Sequence, residues 1–214
     1  MLAMDSRLYV VTGHQFLKGR SLESVIRAAI HGGADCIQLR EKEYTGRQLL
    51  EAGLLLRRIT KEMGATLIVN DRIDVARAVD ADGVHLGQSD LPIQVAREML
   101  AVGKIVGIST HNVAEAVAAE RSGADYIGFG PIKQTATKQD TEPVVGAAGL
   151  QEVRRHVSLP IVAIGGIKAE DVAEIIRNGA NGVAVVSAVI GSDDVQAAAQ
   201  NIRQIVDLER GARG

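Results

Sequence analysis

The fold of this chain is decided by a stretch in which a helix, a glycine turn and a strand follow one another. Residues 113–131 read VAEAVAAERSGADYIGFGP. The segment Val113–Arg121 has an amphipathic pattern that predicts a helix, and Gly123 would end that helix at its C-terminal cap. The next segment, Tyr126–Phe129, is apolar at nearly every position, as expected for a parallel strand that is buried on both faces. The stretch therefore predicts a helix that leads into a buried strand.

This unit recurs along the chain. Gly33-Ala34-Asp35 and Gly179-Ala180-Asn181 repeat the glycine turn, and Ala81-Asp82-Gly83 is a related form of it. Short apolar runs alternate with longer amphipathic ones over nearly the whole sequence. The predicted strands are residues 8–12, 36–39, 66–69, 83–86, 105–108, 126–129, 161–164 and 182–186. The predicted helices are residues 22–30, 48–63, 73–79, 94–101, 113–121, 150–156, 171–178 and 195–208.

Eight strand–helix units in about 200 residues are the number that a minimal (β/α)8 TIM barrel needs. We therefore predict the α/β class and a single TIM-barrel domain over residues 1–214, because neither a linker nor a shift in composition divides the chain. A doubly wound open sheet is built from the same local units, and it remains the alternative at this stage.

Composition excludes several classes of protein. Lys and Arg together number 24 and Asp and Glu 26, a net charge of −2, which argues against nucleic-acid binding through one broad basic face. Two Phe, three Tyr and no Trp are too few for a platform that stacks single-stranded nucleic acid. Cys36, the one cysteine, excludes an intrachain disulfide framework and a multi-cysteine zinc site. With no signal peptide and no apolar run of roughly 18 residues, we expect a soluble, cytoplasmic protein without nucleic-acid or membrane partners.

Polar residues follow the predicted strands, where a barrel carries its working residues. Gly165-Gly166 follows the seventh strand and Val186-Ser187 ends the eighth. Loops at these two places commonly bind phosphate, because glycine lets backbone N–H groups approach the phosphate oxygens. The alternative is that the paired glycines only make a turn. A second anionic site is predicted from the cations Arg40, Lys42 and Lys138 and the polar residues Asn70, Ser109, Thr135 and Thr137.

Two acidic residues, Asp71 and Asp90, stand among these cations. Carboxylates beside cations suggest a hard divalent ion that bridges to ligand phosphates, since Mg²⁺ takes one or two protein carboxylates and completes its shell with water and phosphate. The alternative is that Asp71 pairs with Arg72 or Arg40, and that Asp90 caps the helix beginning near Pro92.

Other candidates for chemistry are weaker. His85 ends the fourth strand and could act as a base, although a single histidine in such a place is as often a hydrogen-bonded structural residue. Cys36 opens the second strand and is expected to belong to the core rather than to act as a nucleophile. His111 is expected at a helix start, and no nucleophile–His–acid arrangement is visible.

Motifs between Tyr9 and Ser187 share their order and spacing with one enzyme family. They are Gln38-Leu39-Arg40-Glu41-Lys42, Val69-Asn70-Asp71-Arg72, Gly83-Val84-His85-Leu86-Gly87-Gln88-Ser89-Asp90-Leu91-Pro92, Gly107-Ile108-Ser109-Thr110-His111, Asp125-Tyr126-Ile127-Gly128-Phe129-Gly130-Pro131, Thr135-Ala136-Thr137-Lys138 and Ala163-Ile164-Gly165-Gly166-Ile167. Together they resemble the thiamine-phosphate synthase family. Single pieces such as Gly-Gly-Ile occur in many barrels, whereas the combination is specific.

The resemblance implies a transferase that joins 4-amino-5-hydroxymethyl-2-methylpyrimidine diphosphate to a thiazole phosphate or its carboxylated form, giving thiamine monophosphate and diphosphate. It implies Mg²⁺ on Asp71 and Asp90, and it leaves a homodimer open. The implied pyrimidine diphosphate residues are Gln38, Leu39, Arg40, Glu41, Lys42, Asn70, Ser109 and Lys138, with Arg40, Lys42, Ser109 and Lys138 as the catalytic group. The implied thiazole phosphate residues are Thr135, Ala136, Thr137, Gly166, Val186 and Ser187.

The sequence departs from the family pattern at two places. Gly13 stands where an Asp is frequent, and Lys133-Gln134 replaces a pair similar to Phe-Pro, which would put an extra charge beside the substrate. Two alternatives remain. A related thiazole tautomerase would have His after the strand-six Phe-Gly pair, where this chain has Pro131, and a catalytically silent barrel would bind phosphometabolites without turnover. A Schiff-base aldolase is discounted because the sixth strand has no lysine.

Overall fold

Eight parallel strands close into a barrel in the computed structural model, which describes residues 6–134 and 143–212. Each strand pairs with the next along the chain, and β8 returns to pair with β1. The strands are β1 (Leu8–Val11), β2 (Cys36–Leu39), β3 (Thr66–Asn70), β4 (Gly83–Leu86), β5 (Ile105–Thr110), β6 (Tyr126–Phe129), β7 (Ile161–Ile164) and β8 (Gly182–Val185). The predicted TIM barrel is confirmed, and the open-sheet alternative is wrong because β1 and β8 are hydrogen-bonded neighbours.

Helices lie between the strands over the described residues. They are α1 (Leu22–His31), α2 (Gly46–Met63), α3 (Ile73–Ala78), α4 (Ile93–Met99), α5 (Val113–Arg121), α6 (Gly146–His156), α7 (Ala169–Arg177), α8 (Ser187–Ile190) and α9 (Val195–Gly211). Most predicted bounds differ from these by one to three residues. The start of α6 was predicted four residues late, because its first turn carries no apolar pattern. The short helix α8 and a 3₁₀ turn at His14–Phe16 were not predicted.

The repeated Gly-Ala-Asp turn has a structural cause. Asp35, Asp82, Asp125 and Asn181 each precede or open an even-numbered strand, and each side-chain oxygen accepts a backbone N–H from the strand before it. An arginine from a helix then binds each of these side chains. The N–H donors are Leu8, Leu67, Val106 and Ile161, and the arginines are Arg203, Arg57, Arg97 and Arg154. The repeat therefore closes the amino end of the barrel.

Two apolar clusters stabilise the fold. The larger lies between the strands and the helices, and the smaller fills the barrel interior around Tyr9 and Tyr126. Glycines in the strands make room for this interior: a Cβ at Gly107 would lie 2.1 Å from Cζ of Tyr126, and one at Gly128 would lie 3.0 Å from Cε1 of His85. Among the described residues, no helix has the length and apolarity to cross a bilayer.

Candidate active site

The predicted site residues that the structure describes meet at the carboxyl end of the barrel, because the strands are parallel and each cluster follows its strand. Gln38 is the next-to-last residue of β2, Asn70 is the last residue of β3, and Ser109 is the next-to-last residue of β5. Opposite them, Gly166 follows β7 and Ser187 begins α8. Thr135, Ala136, Thr137 and Lys138 lie outside the described residues.

A continuous chain of hydrogen bonds crosses the barrel beneath this rim. The Gln38 Nε2 atom donates to the Tyr9 hydroxyl at 2.7 Å, and the Tyr9 and Tyr126 hydroxyls are 2.9 Å apart. The Tyr126 hydroxyl lies 2.9 Å from Nδ1 of His85, and Nε2 of His85 lies 2.9 Å from Oγ of Ser109. Both ring nitrogens of His85 are thus hydrogen-bonded, as the structural interpretation of this residue requires.

The middle of this chain is withdrawn from water. Tyr9 and Tyr126 are 2% and 0% exposed, and their rings meet edge to face with centroids 6.1 Å apart. Burial raises the pKa of both phenols well above the ordinary value of 10.0, because a phenolate would be poorly solvated there. Both tyrosines therefore remain neutral and keep their hydroxyl protons.

Two carboxylates meet at this rim, in the loops that follow β3 and β4. Asp71 directly follows β3 and adopts a left-handed backbone with φ of 59°, and Asp90 lies within hydrogen-bonding reach of its carboxyl group. Burial, followed by the neighbouring Asp90, raises the pKa of Asp71 to about 6, while Lys42 and Arg40 act in the opposite direction. Two half-buried carboxylates that repel each other make a site that favours a cation.

Most of the alternative interpretation of Asp71 and Asp90, as an ion-pairing residue and a helix cap, is wrong. Arg72 binds Asp74, at 2.8 Å from Nε to Oδ1. Asp90 accepts the backbone N–H of Gly87 at 2.6 Å, whereas α4 begins after Pro92 without a side-chain cap. Only the electrostatic influence of Arg40 on Asp71 agrees with that interpretation.

Residues 38–42 do not all face the rim in the same way. Leu39 packs in the core between strands and helices, so only its backbone can meet a ligand. The buried carboxylate of Glu41 accepts the backbone N–H of His14 at 3.2 Å and lies 2.8 Å from Nδ1 of the same residue. Lys42 is exposed, and the Arg40 N–H donates to the Thr12 hydroxyl at 2.9 Å. A direct role of Glu41 toward the substrate stays a prediction.

An open cleft of about 430 Å³ lies beside the glycine pair. Both Gly165 and Gly166 adopt left-handed backbone, with φ of 104° and 65°. A Cβ on Gly166 would lie 2.5 Å from the carbonyl oxygen of Gln134, so the loops approach too closely for any side chain. Lys133, at the mouth of this cleft, binds the carboxylate of Asp171 in the first turn of α7. The extra charge of Lys133 is therefore paired within the protein.

The sequence patterns missed Tyr9 and Tyr126 as parts of the site. Each stands inside an apolar strand, where an aromatic residue normally indicates core. A signal existed in the strand glycines Gly107 and Gly128, since glycine within a strand often marks a close approach by another group.

Comparison with known proteins identifies the family of this chain. The family model described as thiamine monophosphate synthase matches residues 8–189. A thiamine-phosphate synthase of Chloroflexus aurantiacus is 53% identical over 96% of this chain and 94% of that protein, and one of Methanoculleus marisnigri is 52% identical over 94% and 95%. The solved structure of a thiamine phosphate pyrophosphorylase from Pyrococcus furiosus superposes with a TM-score of 0.88, at 41% identity over 98% of this chain and 99% of that one. The chain therefore belongs to the thiamine monophosphate synthase family.

Proposed function

We propose that this chain is a thiamine-phosphate synthase, a transferase of thiamine biosynthesis that forms one domain over residues 1–214. It joins an aminopyrimidine carrying a CH₂-diphosphate group to a thiazole phosphate or its carboxylated form, and it releases diphosphate. The observation that carries this proposal is the meeting of the carboxylate pair Asp71 and Asp90 with Gln38 and Ser109 on one rim, opposite the close loop approach at Gly166.

The electronic demand of the reaction suits these residue types. When the CH₂–O bond breaks, its electron pair leaves with the diphosphate, and positive charge develops on a methylene that is conjugated with an electron-rich aminopyrimidine. The ring can carry that charge, so a dissociative path needs little covalent help. Arg40 and Lys42 would neutralise charge on the leaving diphosphate, with Lys138 completing the cationic set by family resemblance. Asn70 and Ser109 would donate hydrogen bonds to the pyrimidine diphosphate.

The carboxylate pair fits Mg²⁺. A cation bound to Asp71 and Asp90 would relieve the repulsion that raises the pKa of Asp71. Among residues 6–134 and 143–212, no cluster of three or more His, Cys, Asp or Glu side chains is arranged to hold a metal. The remaining ligands of the ion would be water and diphosphate oxygens, as is usual for Mg²⁺. When bound, the ion would supply Lewis-acid stabilisation of the leaving diphosphate.

The second substrate would bind on the opposite side. The backbone at Gly166, with Val186 and Ser187 at the end of β8, would hold the thiazole phosphate, and Thr135, Ala136 and Thr137 would join them by family resemblance. Holding the thiazole nitrogen beside the methylene turns a bimolecular attack into a positioned one. Excluding water from the closed site would prevent hydrolysis of the cation. Turnover in the cytoplasm is part of the same proposal, and sedimentation of the purified protein measures whether it forms the homodimer that the family resemblance leaves open.

The test is incubation of the purified protein with both substrates and Mg²⁺, with chromatographic assay of thiamine phosphate and diphosphate. Formation of both products in equal amounts supports the proposal. Conversion of one thiazole tautomer to another without coupling would identify the tautomerase alternative, and thiazole phosphate binding without turnover would identify a silent binding barrel. Chelator should abolish the coupling, and added Mg²⁺ should restore it.

A further inference from the structure

The hydrogen-bonded chain through the barrel connects two side chains that face the substrate under the proposed function, on which this inference rests. Gln38 is at one end and Ser109 at the other. The interior of a small barrel is usually filled by branched apolar side chains. Here Tyr9, Tyr126 and His85 take the place of some of them, and Gly107 and Gly128 leave the space that these rings need. Burying a polar group costs free energy unless the group is hydrogen-bonded. The hydrogen-bonded chain pairs each of these buried groups, so the network is specified by the sequence and is not an accident of packing.

Each link of the chain constrains the next one. The Gln38 nitrogen donates to Tyr9, and the Tyr126 oxygen is a stronger acceptor than the neighbouring Cys36 sulfur, so the Tyr9 proton is directed toward Tyr126. The Tyr126 proton is then directed toward Nδ1 of His85, which must be unprotonated to accept it. The ring proton therefore resides on Nε2, from which it donates to Oγ of Ser109.

This direction decides what both ends offer to a ligand. Because Gln38 uses its Nε2 atom inside the barrel, its carbonyl oxygen remains to accept a hydrogen bond from the ligand. Because Ser109 accepts from His85, its own hydroxyl proton remains to be donated. An exocyclic amino group matches the acceptor at Gln38. A ring carbonyl in place of the amino group would set two acceptors, its own oxygen and that of Gln38, against each other. To offer a donor instead, the Gln38 amide would have to flip. Both tyrosine hydroxyls and the His85 tautomer would then have to reverse the direction of their hydrogen bonds as well.

We propose that the chain from Gln38 to Ser109 is a specificity device, which fixes Gln38 as an acceptor and Ser109 as a donor so that the site selects an aminopyrimidine over the corresponding oxopyrimidine. Tyr9, Tyr126 and His85 are positioning residues in this device, since they act through Gln38 and Ser109. Removing a hydrogen bond from the centre of this network should let the Gln38 amide and the Ser109 hydroxyl rotate independently. The preference for the aminopyrimidine over the oxopyrimidine should then weaken.

The variant Tyr126→Phe removes the central hydroxyl and leaves both ends in place. The control is Ile68→Val, which removes one methyl from the same interior cluster and no hydrogen bond. The measurement is kcat/KM for the aminopyrimidine diphosphate and for the analogue with oxygen in place of the amino group. We expect Tyr126→Phe to reduce the ratio of the two values by about 10-fold or more, on the scale of one mismatched buried hydrogen bond, and Ile68→Val to leave the ratio unchanged. Equal ratios in wild type and Tyr126→Phe would overturn the proposal.

The histidine tautomer provides a test that needs no turnover. In ¹⁵N-histidine-labelled wild type, the His85 signals, identified by their loss in His85→Asn, should show a protonated Nε2 and an unprotonated Nδ1. A protonated Nδ1, whether in the other tautomer or in the imidazolium, would contradict the inferred direction. If the protein made no thiamine phosphate, the proposed function would fail, but the His85 tautomer would still show whether the hydrogen bonds run in the inferred direction. Tyr9→Phe replaces Tyr126→Phe in the kinetic test if the latter does not fold.

Discussion

The carboxyl groups of Asp71 and Asp90 lie within hydrogen-bonding reach of each other at the carboxyl end of the barrel. They come from the loops after neighbouring strands, and the backbone brings them together, since Asp71 N–H donates to the His85 carbonyl at 2.9 Å and Gly87 N–H donates to Asp90 at 2.6 Å. Like charges in a half-buried place oppose each other, as the raised pKa of Asp71 records. Such an arrangement would destabilise the protein in the absence of metal and would be relieved by a bound cation.

The first prediction concerns Mg²⁺ dependence. Asp71→Asn and Asp90→Asn should each fold but need at least about 10-fold more Mg²⁺ for half-maximal activity, because a neutral amide replaces an anionic hard ligand. Asparagine also tolerates the left-handed backbone at residue 71, so little strain is added. Activity is measured against Mg²⁺ concentration, and the double variant should be close to inactive throughout.

The matched control for these variants is Asp74→Asn. This acid stands three residues after Asp71 but binds Arg72 on the surface. Its removal should leave the Mg²⁺ requirement unchanged. If Asp71→Asn and Asp90→Asn behaved like Asp74→Asn, both acids would be structural residues and the magnesium assignment would be lost.

The second prediction concerns stability in chelator. The folded pKa of Asp71 is about 6, above its ordinary value of 3.8, so folding favours the protonated form. The associated stability is present below the ordinary pKa and is lost as pH rises through about 6. Without metal at pH 7.5, Asp71→Asn should therefore be more stable than wild type by roughly 1 kcal/mol, allowing for solvent screening.

Urea denaturation at two pH values checks this expectation. The advantage of Asp71→Asn should shrink when the pH is lowered to about 4, since wild-type Asp71 then regains its proton. Saturating Mg²⁺ with diphosphate should reverse the order at pH 7.5, because only wild type gains the full binding energy. A variant less stable than wild type in chelator at pH 7.5 would show that the pair is not under electrostatic strain.

The third prediction concerns the glycine loop. In Gly166→Ala, the new Cβ would approach the Gln134 carbonyl to 2.5 Å, in a backbone region that side chains rarely adopt. The loop must shift, so KM for thiazole phosphate should rise by about 10-fold or more while pyrimidine diphosphate binding is kept. Gly123→Ala is the control: it has a φ of 86° with nothing within 4 Å, and it lies after α5, away from the rim. A larger loss of pyrimidine diphosphate binding in Gly166→Ala would mean that the two substrate sites are exchanged.

The sequence allowed the barrel and its rim to be predicted because both leave local patterns. A polar residue that follows an apolar run, such as Asn70 or Ser109, can be recognised from the sequence alone. Tyr9 and Tyr126 do not, because their partners come from across the barrel, and contacts between non-adjacent strands depend on closure and register. The pairing of Arg72 with Asp74 was missed for a related reason, since several acids lie within reach of one arginine. Local charge patterns cannot choose among them.

The last prediction concerns the repeated turn at the amino end of the barrel. Asp125 accepts the Val106 N–H at 2.7 Å and binds Arg97 at 2.6 Å. Asn181 occupies the equivalent place before β8 and also accepts a strand N–H, at 2.9 Å from Ile161. An amide oxygen therefore suffices for the backbone bond. Asp125→Asn should cost about 1 kcal/mol of unfolding free energy, and Asp125→Ala about 2–3 kcal/mol, because it leaves the buried Val106 N–H unpaired and also removes the ion pair with Arg97.

Urea denaturation of the two variants measures these costs. The kinetic constants of both should stay close to wild type, since the amino end of such a barrel serves stability and the carboxyl end carries the chemistry. Equal destabilisation by asparagine and alanine would mean that the ion pair with Arg97, rather than the bond to the Val106 N–H, makes the main contribution. Loss of kcat in a fully folded Asp125→Asn protein would show that the two ends of the barrel are coupled and do not divide stability and chemistry between them.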